Sequence, residues 1–252
     1  MLTLLDPNDP TAFPDPEQAL TNPNGLLAVG GDLSITRLLH AYRRGIFPWF
    51  NPGDPILWWS PDPRLVLVPT QIHRSRSLTK RLRHAPFEIT IDTAFERVIR
   101  HCAAPRTASG DTWLVPAMIA AYETLHHRGF AHSIEIWHEQ QLIGGLYGIA
   151  LGRVFFGESM FSRASDASKI ALVHLCEQLA AWDFGLIDCQ METEHLRSMG
   201  ATLMSRSAFI QQLNQLCPLP GWAGTATSFP TSRLIEPHHD SMLIHPLPLP
   251  PE

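Results

Sequence analysis

Apolar positions recur at helix or strand spacing through most of the chain, and the breaks between the runs are well marked. Ile35, Leu38, Leu39 and Tyr42 form one stripe, with Asp32 or Ser34 placed to cap it and Gly45 to stop it, which predicts a helix. Leu65–Val68 predicts a strand, Ser77–His84 a short basic helix, and Phe87–Ile91 an alternating strand. Thr93 and Glu96 have capping-box spacing ahead of Phe95, Val98, Ile99 and Cys102. Pro116 suits the first turn of a helix running to Gly129, with Met118, Tyr122 and Leu125 inward. His132–Trp137 and Gln141–Ile149 predict a hairpin, and Arg153–Phe156 a third strand. Ser165 is placed to cap a long helix with Leu172, Leu175, Cys176 and Leu179 on one stripe. Leu186–Gln190 reads as a strand, followed by two short helices, the last carrying Phe209, Ile210, Leu213 and Leu216. Helices, antiparallel strands, then helix, strand and helix predict an α+β fold on a mostly antiparallel sheet.

Proline divides the chain: of 22 prolines, 11 lie in residues 1–69, 3 in 70–217 and 8 in 218–252. Because proline interrupts helices and ladders, regular structure should concentrate in the middle. The expected organisation is a Pro- and aromatic-rich N-terminal domain (1–64), a regular α+β domain (65–217) and a Pro-rich, peripheral tail (218–252). The aromatics between Phe47 and Trp59 read equally well as core or as a stacking platform.

Apolar residues make up 44% of the 252 positions and net charge is only −5, which excludes a disordered chain and a globally basic one. The charge is uneven, however: Arg64–Arg106 holds nine Lys or Arg against three Asp or Glu, which points to an anionic partner held at one place. Four scattered cysteines without a CxxC suit a reduced, cytoplasmic protein without a cysteine zinc site. Met1–Leu5 is apolar but ends at Asp6–Pro7, so no signal peptide is expected. The longest uncharged apolar stretch, Gln140–Gly152, is too short and too Gly-rich to span a bilayer.

Familiar catalytic patterns are missing. There is no phosphate loop, GxGxxG or HExxH, and Gly157–Phe161 lacks the last glycine of a nucleophile elbow. His126–His127 and His238–His239 read as surface pairs, and Gly144, Gly145 and Gly148 as a bulged strand. What remains is a polar set at strand ends. Asp188 and Gln190 should share one face of a strand, about 7 Å apart. They read either as groups satisfying the backbone or as a pair aligning an amine nucleophile. Glu158 is a further acid in apolar sequence, with a salt bridge as its plainer reading.

Pro23–Leu33, Arg44–Phe50, Trp58–Arg64, Ala131–Glu135, Gly157–Ser162 and Leu186–Gln190 together resemble the leucyl/phenylalanyl-tRNA–protein transferases, in order, from residue 13 to residue 213. The resemblance implies an acyl-CoA N-acetyltransferase-like second domain and an enzyme moving leucine or phenylalanine from aminoacyl-tRNA to the α-amine of proteins with N-terminal Arg or Lys. The product would enter N-degron degradation. An aminoacyl ester is already activated, so the reaction implies no cofactor and no metal. By resemblance Asp188 and Gln190 match a proton relay and Glu158 an active-site acid. Leu146, Met160, Leu172, Leu175, Leu179 and Ile187 match an amino-acid pocket. Leu146, Leu175 and Leu179 stand where a methionine and two phenylalanines are expected. Trp49 and Trp113 match tryptophans around the 3′-terminal adenosine. Arg74, Arg76, Lys80, Arg81 and Arg83 form the densest basic run, suited to acceptor-stem phosphates or to a solvated helix face.

Three other readings remain. An acyl-CoA-dependent acetyltransferase would need a glycine-rich turn, and Phe161–Ser168 has no glycine. A non-catalytic tRNA-binding protein would use only the basic segment and tryptophans. A transferase acting on peptidoglycan precursors would share the donor alone. Use of Met-tRNA, and whether Asp188 takes a proton or only holds Gln190, stay open.

Overall fold

The computed structural model describes residues 2–84, 86–104, 114–222 and 233–234. A four-stranded sheet comes first, built from β1 (Thr3–Leu5), β2 (Leu26–Gly30), β3 (Phe47–Pro48) and β4 (Leu57–Trp59) in the order β1-β2-β4-β3. Helix α1 (Ile35–Arg43) follows β2; the Ser34 hydroxyl accepts from the Arg37 N–H, and Gly45 ends the helix at φ +72°. That left-handed residue is where a glycine stop belongs.

The rest of the chain builds an eight-stranded sheet. In chain order it runs β5 (Arg64–Leu67), α2 (Arg76–His84), β6 (Glu88–Ile91), α3 (Phe95–Ala103) and α4 (Pro116–His127). Then come β7 (Ala131–His138), β8 (Gln141–Leu151), β9 (Val154–Ser162), α5 (Ala167–Ala181) and β10 (Leu186–Gln190). The last elements are α6 (Glu194–Ser198), β11 (Thr202–Met204), α7 (Arg206–Leu216) and β12 (Arg233–Leu234). Strand order is β11-β5-β10-β9-β8-β7-β6-β12, antiparallel except for β9–β10. The architecture is α+β with a mostly antiparallel sheet, as the order of elements predicts.

Both sheet faces are covered. Phe155 and Phe156, adjacent in β9, join different apolar clusters because a strand turns successive side chains to opposite faces. Phe155 packs with Leu146, Leu172 and Leu175 under α5; Phe156 packs with Tyr42, Val98, Met118 and Tyr122 under α1, α3 and α4. The second cluster continues into the first sheet through Leu38, Phe47 and Trp58, so the core does not divide at residue 64. From α7, Arg206 clamps the two regions by donating to the carbonyls of Ser60 and Pro16.

Several local expectations are corrected. Thr93 does not cap α3; its hydroxyl turns to Thr90 and to the buried Glu135, and Ala94 holds the cap position without a side-chain bond. Ser165 does not cap α5, whose first flanking residue is Asp166 at φ 64°. The third strand runs on to Ser162, and β11 lies between the two short helices. His126 is buried, stacked on Phe95 at 4.2 Å and bonded to the Ala131 carbonyl, while His127 is exposed; His238 and His239 lie outside the described residues. The start of the tail is not peripheral: Trp222 stacks on His132 at 4.0 Å, and Arg233–Leu234 pairs with β6.

The β8–β9 ladder slips once. Tyr147 faces Ser159 and Gly148 faces Gly157, so Glu158 is the extra residue of a bulge. A Cβ on Gly148 would lie 2.2 Å from the Phe156 carbonyl oxygen, whereas one on Gly157 would make an ordinary 3.5 Å contact with the Asp188 carbonyl oxygen. Gly148→Ala should therefore destabilise the fold by about 1–3 kcal/mol, and Gly157→Ala by less than about 0.5 kcal/mol. Urea unfolding midpoints at unchanged slope read both values.

Candidate active site

Parallel pairing of β9 and β10 runs through Leu186–Val154, Ile187–Phe155 and Asp188–Phe156, and stops there. Beyond that point each strand carries a bulge: Glu158 on β9, and Cys189 on β10, where Asp188 faces Val66 and Gln190 faces Leu65. The bulge overturns the expected alternation of Asp188 and Gln190 on one face, and Gln190 is left-handed at φ 62°. Bulges re-aim side chains where pairing must end. Here they turn Glu158 and Gln190 into a cleft of about 860 Å³.

Asp188 sits behind the cleft, 0% exposed, and does not line it. Its two oxygens accept from Arg64 Nε at 2.8 Å and Nη2 at 2.7 Å, a bidentate pair between two fully buried groups. The guanidinium lies 4.8 Å from the Phe47 ring and 4.8 Å from the Phe209 ring. Asp188 Oδ1 also accepts the Gln190 main-chain N–H at 2.9 Å. The contact between the two residues therefore runs through the Gln190 backbone. The Gln190 side chain is oriented from the other strand: its Nε2 donates to Glu158 Oε1 at 2.9 Å. Its carbonyl oxygen then has no partner among the described residues and is left to accept from a ligand.

Glu158 also meets Tyr42 at 2.8 Å and Tyr122 at 2.6 Å, and the two phenols meet each other at 2.7 Å. Three short contacts need three hydrogens, and the phenols supply two. All three are hydrogen bonds when Glu158 holds a proton: it donates to Tyr122, Tyr122 to Tyr42, and Tyr42 back to the carboxyl. Burial pushes the Glu158 carboxyl up to about 7 with help from the Asp188 charge, against the pull of the two phenols and the Gln190 amide. Burial and the Glu158 charge likewise hold both phenols well above their ordinary range. The site can thus hold one exchangeable proton beside a fixed amide.

Leu146, Met160, Leu172, Leu175 and Ile187 line the cleft and give it an apolar wall, while Leu179 is fully buried in the core and does not line it. Trp49 stands at the mouth, 37% exposed, with its carbonyl accepting from Trp59 Nε1. Trp58 on the same strand as Trp59 is fully buried, so the aromatic segment contributes to the core as well as leaving the Trp49 indole exposed. Trp113 lies outside the described residues. The basic run is only partly free. Arg74 pairs with Glu177 at 2.6 Å and Arg81 with Asp166 at 3.5 Å, whereas Arg76, Lys80 and Arg83 are exposed. Among the described residues no group of three or more His, Cys, Asp or Glu is placed to hold a metal ion, and no helix is long and apolar enough to cross a membrane.

Arg64, Tyr42 and Tyr122 hydrogen-bond to Asp188 and Glu158, whereas in the sequence they are a segment end and two core positions. A signal was present. Arg64 opens an apolar strand, where a charge needs a buried partner, and each tyrosine on an apolar stripe must place its hydroxyl.

A family model described as leucyl/phenylalanyl-tRNA protein transferase matches residues 66–214, and one for its N-terminal domain matches residues 31–62. The leucyl/phenylalanyl-tRNA–protein transferase of Nitrosomonas europaea is 63% identical over 84% of this chain and 89% of that protein. That of Thiobacillus denitrificans is 60% identical over 85% and 94%. Among solved structures, a GCN5-related N-acetyltransferase from Kribbella flavida is similar at TM-score 0.35 and 11% identity, covering 66% of this chain and 60% of that one. L-PGS from Bacillus licheniformis is similar at TM-score 0.35 and 8% identity, covering 72% and 62%. Likeness at that level carries no argument. The sequence matches define the class, an aminoacyltransferase. Within it, the chain belongs to the leucyl/phenylalanyl-tRNA–protein transferase family.

The raised carboxyl makes stability depend on pH. Glu158 keeps its proton in the fold up to about 7 but would lose it near 4.5 when unfolded. Its contribution is full below the lower value and lost as pH rises through the upper. Glu135, buried under Ser133 and Thr90 and also pushed up to about 7, adds a second such group. Stability should fall across that window, by about 1.4 kcal/mol per pH unit for each group. Glu158→Gln should remove one proton's share of the slope. An unchanged slope in chemical unfolding would show that Glu158 is ionised throughout.

Proposed function

We propose that the protein transfers leucine or phenylalanine from aminoacyl-tRNA to the α-amine of proteins beginning with Arg or Lys, in the cytoplasm, and so marks them for N-degron degradation. The observation that carries this reading is the Gln190 amide, fixed by Asp188 and Glu158 at the head of an apolar cleft with an exposed tryptophan at its mouth. An aminoacyl ester needs no further activation. The protein has only to hold the amine in line, receive a proton and steady the tetrahedral oxyanion. An α-amine with a pKa of about 7.7–8.0 is partly neutral at cellular pH.

In this reading the Gln190 carbonyl accepts from the attacking amine, and Glu158 faces the incoming terminus. Leu146, Met160, Leu172, Leu175 and Ile187 hold the apolar side chain, with Leu179 behind them. Leu175, which lines the slot in place of an expected phenylalanine, widens it, and a methionyl donor falls within the same chemistry. Trp49 and Trp113 stack on the terminal adenine, a contact worth about 1–3 kcal/mol per base. Arg76, Lys80 and Arg83 take acceptor-stem phosphates, joined by Arg74 and Arg81 when their carboxylate partners yield.

The test is a mass-spectrometric transfer assay with Leu-tRNA and peptides differing only in an N-terminal Arg, Lys or Ala. A leucine-sized gain on the Arg and Lys peptides alone is expected. Folded, tRNA-bound protein that modifies none of them would replace this reading with that of a tRNA-binding module.

A further inference from the structure

The Arg64–Asp188 pair does more than neutralise a buried charge. Both carboxylate oxygens are occupied, one of them twice: by Arg64 Nε and the Gln190 N–H on Oδ1, and by Arg64 Nη2 on Oδ2. Neither side chain is exposed at all, and neither lines the cleft. A substrate amine in the cleft therefore has no path to that carboxylate. What Asp188 does reach is the peptide unit of Gln190, whose left-handed backbone needs an outside hydrogen bond to persist.

Arg64 in turn is held by two elements that do not belong to the β9–β10 pair. Phe47 lies on β3, two residues before Trp49, and Phe209 lies on α7. The guanidinium thereby ties the bulge that presents Gln190 to the strand that presents Trp49.

We propose that Arg64 is a positioning residue: through Asp188 it fixes the Gln190 peptide unit relative to the Trp49 strand, and Asp188 serves as a fixed hydrogen-bond acceptor, not as the proton acceptor. This rests on the transferase reading above for its kinetic consequence, but not for its structural one. Removing the guanidinium leaves an unpaired buried carboxylate that must turn or protonate, and the Gln190 N–H loses its partner. An uncharged pair that keeps one acceptor oxygen at position 188 restores that partner without restoring a carboxylate.

The experiment compares wild type, Arg64→Met, Arg64→Lys, Arg64→Met/Asp188→Leu and Arg64→Met/Asp188→Asn. Transfer from Leu-tRNA to an N-terminal Arg peptide and hydrogen exchange at the Gln190 amide are both measured. Arg64→Met should lose about 100-fold in kcat with KM for Leu-tRNA nearly unchanged, as misplacement of a catalytic group does. Arg64→Lys, which keeps the charge but not the fork, should recover only part of that loss. The Met/Asn pair should return most of the rate and the amide protection, with the pH profile of wild type. The Met/Leu pair should fold but keep the low rate and the fast exchange. A folded Met/Asn pair as inactive as Arg64→Met would overturn the proposal, because the carboxylate itself would then be needed. So would a Met/Leu pair with wild-type rate, which would make the ion pair a matter of stability alone. Absence of transfer in wild type would refute the transferase reading, and exchange at Gln190, which needs no substrate, would still decide the positioning claim.

Discussion

A fully buried arginine–aspartate pair is the constraint around which this protein is arranged. Arg64 and Asp188 are 124 residues apart in sequence, on the neighbouring strands β5 and β10. Removing one partner of a buried charge pair costs about 3–5 kcal/mol, because the charge left behind is uncompensated. The geometry here is bidentate, with aromatic rings on both sides of the guanidinium. Because those rings come from β3 and α7, satisfying the pair aligns the first sheet, the second sheet and the last helix together. The Gln190 bulge inherits that alignment through one hydrogen bond.

Against this rigid back wall, the front of the site is built to hold a proton loosely. The triangle of Glu158, Tyr42 and Tyr122 is complete only with a proton on the carboxyl, and burial sets that proton's release at about pH 7. Asp188 and Glu158 are thus two carboxylates with opposite assignments. One is paired with a guanidinium, the other is raised by burial against the pull of its phenols, and Gln190 spans between them. In the proposed aminolysis such a site contributes orientation and a resting place for a proton, while the ester supplies the driving force.

Much of this architecture was legible in the sequence because helix stripes and strand runs are local. Ile35–Tyr42, Met118–Leu125 and Leu172–Leu179 each fell in a helix, and Leu186–Gln190 in a strand. Several of the differences are non-local. Thr93 has the spacing of a cap, but the buried Glu135 competes for its hydroxyl. Asp188 and Gln190 alternate correctly for a regular strand, but pairing with β5 inserts a bulge between them. Arg64 adds to the basic balance of Arg64–Arg106 in the sequence, but its partner cancels it, and Arg74 and Arg81 are likewise matched by Glu177 and Asp166. Spacing cannot show which distant carboxylate a cation will meet, and the site depends on one such meeting, that of Arg64 with Asp188.

The most direct measurement is a crystal structure of the protein with a non-hydrolysable leucyl-amide analogue of 3′-aminoacyl-adenosine. The account predicts the Gln190 carbonyl oxygen at hydrogen-bond distance, about 3 Å, from the ligand's polar centre. It also predicts the leucyl side chain against Leu172 and Leu175, and Asp188 still closed on Arg64 behind the cleft. A ligand contacted by the Asp188 carboxylate, with Arg64 displaced from it, would contradict the account at its centre.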